Sequence, residues 1–128
     1  MGKVYYISDE EDLRFLPELQ EKDVIVAPQN RGFVIYRGYI VSRKDVKSYR
    51  NMIGKPIPKE MRDRSWTTNI KIAKQFAEEY KSGNPNTDVI PVIFKAKSNK
   101  LEIGWKYEAE VYIVNGAKTK LVDIIEFE

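Results

Sequence analysis

Hydrophobic and polar positions along the 128-residue chain fall into short runs that read mainly as strands, broken by a few helical stretches. Val4 to Ile7 and Val24 to Ala27 are short strands, and Pro28-Gln29-Asn30-Arg31-Gly32 is turn chemistry leading into a longer strand from Phe33 to Val41. Ser8 followed by Glu11 is a capping box that opens a helix, which Pro17 limits. Ser42 with Asp45 marks a second helix start; Val46, Tyr49 and Ile53 give it one apolar face, and Gly54 suits its stop. Lys55 to Arg64 contains Pro56 and Pro58 and reads as irregular. Arg64 to Thr67 is a short strand, and Thr68 or Asn69 caps the next helix. That helix is the clearest in the chain, because Ile72, Ala73, Phe76, Ala77 and Tyr80 recur at helical spacing before Gly83.

The C-terminal third is β-like. Val89 to Ala96 is rich in β-branched and apolar residues, with Pro91 arguing for an edge or a strand start. Glu110 to Val114 is another strand, Asn115-Gly116 is a hairpin signal, and Leu121 to Phe127 is its expected partner. Mixed strands and helices followed by strands predict an α+β fold with a largely antiparallel core. No repeat or linker interrupts the sequence, so residues 1–128 read as a single domain.

Composition narrows the chemistry. Apolar residues make up 42% and charged residues 32%, ordinary for a globular chain. The chain has no cysteine and no histidine, which removes disulfides, thiolate metal sites, cysteine nucleophiles and imidazole bases. Any reaction must therefore use carboxylates, hydroxyls, Arg, Lys, Tyr or a bound cofactor. Twenty-two basic residues against nineteen acidic ones give +3, a surplus too small and dispersed to indicate nucleic-acid binding by itself. The N-terminal residues lack the apolar run of a signal peptide, and no segment approaches the ~18 apolar residues of a membrane span. These features lead to the expectation of a cytoplasmic protein with no membrane partner.

Neither a phosphate loop of the G-x-x-x-x-G-K-[ST] type nor a G-x-G-x-x-G fingerprint occurs, so any phosphates must be held by side chains. Three local features stand out. Arg37 sits in Tyr36-Arg37-Gly38 within an apolar strand, where burial costs solvation unless it holds an anion; the alternative is an outward-facing strand arginine. Gly38 permits close approach of a ligand to the backbone. Ser65-Trp66-Thr67-Thr68 places the Ser65 and Thr67 hydroxyls on one face of a strand, or else simply leads into a helix cap. Glu108 and Glu110 share a face by strand alternation, suited to stabilising a sugar cation, or else are two exposed carboxylates.

The ordered set Y-R-G, then S-x-T before a helix carrying A-x-x-F, then E-x-E opening a strand, resembles the R-S-E class of mono-ADP-ribosyltransferases, the arginine-specific toxin-like and phage-encoded branch. The resemblance runs from about Phe33 to the C-terminus and leaves residues 1–32 unassigned. It departs from the family's S-T-S motif in placing Trp66 between the two hydroxyls. The sister histidine-dependent class of the same fold needs a histidine that this chain lacks.

The resemblance implies a split β-sandwich in which NAD+ lies in a cleft between two largely antiparallel sheets with flanking helices. It implies transfer of ADP-ribose from NAD+ to a macromolecular acceptor, with release of nicotinamide and no metal. In that picture Glu110 stabilises the ribose cation, Arg37 clamps the diphosphate, and the Gly38 backbone holds the nicotinamide amide. Ser65 orients Glu110, Thr67 lines the ribose pocket, and Phe76 stacks on nicotinamide. A glutamate at Glu108 goes with an arginine acceptor in a protein, and Trp105 and Tyr107 read as aromatic target contacts. An NAD+ glycohydrolase, a transferase acting on nucleic acid and an inactive binding module of the same fold are the alternatives.

Overall fold

The computed structural model describes residues 2–7, 19–28 and 31–127. Their elements run β1 (Val4–Tyr6), β2 (Val24–Val26), β3 (Phe33–Ser42), α1 (Arg43–Arg50), α2 (Lys59–Arg62), β4 (Ser65–Thr67), α3 (Ile70–Ser82), β5 (Val89–Ser98), β6 (Lys100–Ile103), a 3-10 turn (Lys106–Glu108), β7 (Glu110–Ile113) and β8 (Thr119–Glu126). The α+β expectation holds. The helix expected from Ser8 lies outside the described residues.

The strands form one sheet in the order β1-β2-β6-β7-β4-β3-β5-β8. Only β1 and β2 run parallel; every other neighbouring pair is antiparallel. β3 and β5 pair along their whole lengths, from Phe33 opposite Ser98 to Ser42 opposite Val89. β4 and β7 pair from Ser65 opposite Tyr112 to Thr67 opposite Glu110. Between β3 and β4, however, a single pair, Tyr36 opposite Thr67, joins the two halves. The expected two sheets are thus one continuous ladder that narrows to one residue pair, and beyond that pair β3 and β4 part.

A cluster of buried apolar side chains spans the sheet, from Ile25 on β2 through Ile35 and Phe94 at the centre to Leu121 and Ile124 on β8. α3 packs across β3 and β5 and buries Ala73 and Ala77 there. At the β1–β2 end the buried Asp23 carboxylate accepts the backbone N–H groups of Lys3 and Gln20, both at 2.9 Å, and so ties the segment before β1 to that before β2. No helix among the described residues is long and apolar enough to cross a membrane.

Several local expectations are corrected. Asn115-Gly116 does form a turn, but it closes no hairpin: β7 already has β6 and β4 on its two sides, and β8 pairs with β5 instead. Pro91 belongs to an interior strand. Third in β5 and opposite Ile40 of β3, it is tolerated because it lies one residue ahead of the β5–β8 register, which begins at Val92 opposite Glu126. The stretch from Lys55 to Arg64 contains the one-turn helix α2, which starts directly after Pro58 because proline serves well ahead of a first turn. Ser42 occupies the N-cap position of α1, yet its hydroxyl makes no cap bond and is buried without a partner; as the last residue of β3 its side chain is aimed by the strand. β6 was not anticipated, although Leu101 and Ile103 alternate with polar neighbours.

Candidate functional site

The parting of β3 from β4 opens a narrow pocket of ≈60 Å³. Arg37 and Gly38 come from β3, Ser65 and Thr67 from β4, Phe76 and Tyr80 from α3, and Glu108 and Glu110 from the segment entering β7. Seven residues flagged in the sequence therefore meet in one place: Arg37, Gly38, Ser65, Thr67, Phe76, Glu108 and Glu110.

Arg37 spans the gap. Its Nη1 donates to the Ser65 carbonyl at 2.9 Å, on the stretch of β4 that makes no ladder pair with β3. The guanidinium also lies 5.5 Å from the centre of the Tyr39 ring. Burial pulls its pKa below the ordinary arginine value, and the neighbouring Arg64 adds repulsion. Among the described residues no carboxylate pairs with it. A half-buried cation with most of its five donors unassigned suits an anionic ligand.

Gly38 has a plain packing reason. A Cβ there would stand 1.7 Å from the Ala73 carbonyl oxygen and 2.8 Å from the Ala77 nitrogen, so only glycine lets α3 lie this close to β3. That contact sets Phe76 and Tyr80 at the pocket's edge. The exposed Tyr80 ring meets Tyr39 edge-on at 5.6 Å.

Thr67 is buried and its hydroxyl is committed. It donates to the Glu108 carbonyl at 2.8 Å and accepts the Asn69 N–H at 3.1 Å. Asn69 in turn caps α3 by accepting the Lys71 N–H at 3.0 Å. Thr67 thus works as a rivet between the end of β4, the start of α3 and the loop before β7, rather than as a free hydroxyl for a sugar. Trp66 points the other way, into the core, with its Nε1 donating to the Met61 carbonyl at 3.0 Å.

The expectation that Glu108 and Glu110 share a strand face is corrected. Glu108 ends the 3-10 turn, and Ala109 adopts a left-handed conformation with φ of 48°, so alternation does not connect the two carboxylates. Both still line the pocket because the left-handed residue turns the chain between them. Three bonds lock this loop: Gly104 N–H to Glu110 O at 2.8 Å, Glu110 N–H to Trp105 O at 3.1 Å, and Trp105 N–H to the Glu110 carboxylate at 3.1 Å. A Cβ at Gly104 would lie 2.5 Å from Glu110 Oε1, so a larger residue there would push that carboxylate aside.

The resemblance implies that Ser65 orients Glu110. By register Thr67 is opposite Glu110 and Ser65 is opposite Tyr112, and the Glu110 carboxylate takes its hydrogen bond from Trp105. Tyr112, which follows Glu110 at a strand spacing of two, does not line the pocket but interacts with the Glu110 carboxylate. Burial and then the adjacent Glu110 carboxylate push its pKa above the usual 10.0. Tyr36 and Tyr80 were overlooked as lining residues; Tyr80 was signalled by standing one helical turn after Phe76.

Trp105 and Tyr107 do not enter this pocket. They are exposed, stack edge-on at 5.6 Å, and border an adjoining hollow of ≈400 Å³ with Leu19, Gln20 and Glu21. Among the described residues no group of three or more Asp or Glu side chains is placed to hold a metal ion. Compared with known proteins, the chain matches no family model, no curated protein and no solved structure.

Proposed function

We propose that this protein transfers ADP-ribose from NAD+ to an arginine side chain of an acceptor protein and releases nicotinamide, within an ADP-ribosyltransferase-like fold. The observation that carries this reading is convergence: Arg37, Ser65 and Glu110, from three separate segments, line one pocket together with Glu108 and Phe76. The absence of cysteine and histidine leaves carboxylates and arginine as the chemistry on offer, which is what this reaction needs.

Cleavage of the bond between ribose C1′ and the nicotinamide nitrogen sends the bonding pair to nicotinamide and builds positive charge on the sugar. A carboxylate held in place stabilises that charge most where it is greatest, in the transition state. Glu110 takes this role, fixed by the Trp105 N–H at 3.1 Å so that it need not reorganise. Arg37 holds the diphosphate with the donors that its bond to Ser65 leaves over. Phe76 offers a ring face to nicotinamide. At ≈60 Å³ the pocket is smaller than a nucleotide-sized ligand needs, so binding parts the Phe76 and Tyr80 side chains at the α3 rim. Glu108 pairs with the incoming guanidinium and accepts the proton it sheds as the new C1′–N bond forms.

Glu110→Gln is the direct test. Nicotinamide release at saturating NAD+ should fall by about 10²–10³, equivalent to ~3–4 kcal/mol. NAD+ binding and the melting temperature should change little. A folded variant that binds NAD+ and turns over within a few-fold of the parent removes Glu110 from the mechanism. Nicotinamide release with no labelled protein, followed with radiolabelled NAD+, would turn the reading to a glycohydrolase.

A further inference from the structure

The sequence disperses its basic residues, and the fold gathers four of them. Arg31, Lys97, Lys118 and Lys120 line an open groove of ≈730 Å³ between β5, β8 and the turn before α2, and no acidic side chain lines it among the described residues. The groove shares no lining residue with the Arg37–Glu110 pocket. All four cations are exposed, and none pairs with a described carboxylate.

Their arrangement is ordered. Lys97 and Lys120 stand directly opposite each other on β5 and β8, a like-charge pair that costs stability unless something anionic lies across it. Lys118 and Lys120 alternate with the buried Ala117, Thr119 and Leu121, so they project outward with a repeat of about 7 Å. Asn99 braces Lys118: Asn99 Oδ1 accepts the Lys118 N–H at 2.8 Å, and the Asn99 N–H donates to the Lys118 carbonyl at 3.2 Å.

Two further features select the occupant. β8 is the last strand of the sheet, but its edge beside the groove is already sealed. Gly54 N–H donates to the Leu121 carbonyl at 2.8 Å, Leu121 N–H to the Lys55 carbonyl at 3.1 Å, and Pro56 bridges Lys120. A peptide therefore cannot add there as an extra strand. No aromatic ring lines the groove, so it offers no platform on which bases stack. What remains is a row of cations with a regular outward repeat, which matches a chain of regularly spaced anions read through its backbone.

We infer that this groove binds the phosphate backbone of a nucleic acid without reading its bases. The inference does not rest on the NAD+ reading, and its test uses no NAD+. Binding of labelled mixed-sequence duplex DNA and single-stranded RNA is followed by fluorescence anisotropy across a salt series. Lys97→Gln with Lys120→Gln should weaken binding and lower the slope of log affinity against log salt by about 0.9 per lost contact on duplex, or about 0.7 on single strand. Lys44→Gln with Lys47→Gln removes the same charge from exposed positions on α1 and should leave that slope intact. The groove variant should melt at or above the parent temperature, because it also removes the opposed lysine pair. Absence of binding, or an equal loss of slope in the α1 variant, overturns the inference. Displacement of the nucleic acid by poly-glutamate as readily as by unlabelled nucleic acid overturns it in favour of an acidic protein partner.

Discussion

Gly38→Ala adds one carbon atom at the point where α3 meets β3. The new Cβ would lie 1.7 Å from the Ala73 carbonyl oxygen, 2.7 Å from its carbon and 2.8 Å from the Ala77 nitrogen, all backbone atoms that cannot swing aside as a side-chain end can. Real contacts of this kind essentially never fall under 3.0 Å, so helix and strand must separate by at least about 1.3 Å. A gap of that size along the helix forfeits half or more of the dispersion attraction between the facing atoms. Ala73 and Ala77 are fully buried on that face, so the shift opens the contact over the turn of α3 between them. Overpacking typically costs 1–3 kcal/mol, and a purely backbone clash belongs at the upper end, about 3 kcal/mol. For a chain of this length that corresponds to a fall in melting temperature of roughly 10 °C. The same displacement carries Phe76 off the position from which the proposed function has its ring meet nicotinamide, so NAD+ affinity should fall along with stability. Urea unfolding followed by circular dichroism gives the stability change, and calorimetric titration gives the affinity. If Gly38 instead serves only as a point of ligand approach, the variant keeps the parent's melting temperature and loses NAD+ binding alone. A melting temperature within about 2 °C of the parent refutes the packing argument.

On the proposed reaction, Glu108→Gln should retain nicotinamide release while transfer to arginine falls far more, because the guanidinium would lose its pairing carboxylate while Glu110 would still face the sugar; equal loss of both, measured with labelled NAD+ and an arginine acceptor, places Glu108 in the NAD+ site instead. Asp23 tests the other end of the sheet: the Gln20 N–H and then the Lys3 N–H hold its carboxyl below the usual 3.8. A depressed folded-state pKa means its stabilisation is present above about pH 4 and is lost as pH falls through the folded value. The stability gap between the parent and Asp23→Asn should therefore be full at neutral pH and shrink below pH ~4; a gap that stays constant down to pH ~2 would refute the pairing.

What could be read in the sequence was local. α3 was legible because Ala73 and Ala77 recur one turn apart and Asn69 is a good cap, and both act within a few residues. The strand at Ser65–Thr67 and the two long strands were legible from β-branched and aromatic runs. Non-local pairing was not legible. Asn115-Gly116 promotes a turn wherever it occurs, but whether β8 then pairs with β7 depends on whether an edge of β7 is free, and β6 and β4 occupy both. The relation of Glu108 to Glu110 failed for a different reason. Alternation assumes an unbroken strand, and Ala109, a residue with no special preference for positive φ, is held left-handed by the bonds that close the Gly104–Glu110 loop.

The pocket itself follows from an element whose length could be read but whose consequence could not. β4 has three residues, between α2 and α3, and all three pair with β7. Asn69 caps α3 two residues after Thr67, and α3 then turns back across β3, so β4 cannot be drawn flush against β3 as well. The ladder keeps only the pair of Tyr36 with Thr67, and the carbonyl of Ser65 is left facing a gap. A carbonyl partly withdrawn from water gains from a donor. Arg37 supplies one from its side chain at 2.9 Å, which keeps the gap open where a backbone N–H would have closed it. The residue that stands out in the sequence as a cation in an apolar strand is thus the one that props the two halves of the sheet apart. A permanently charged fork carrying more donors than one carbonyl can use is left at the mouth of the pocket.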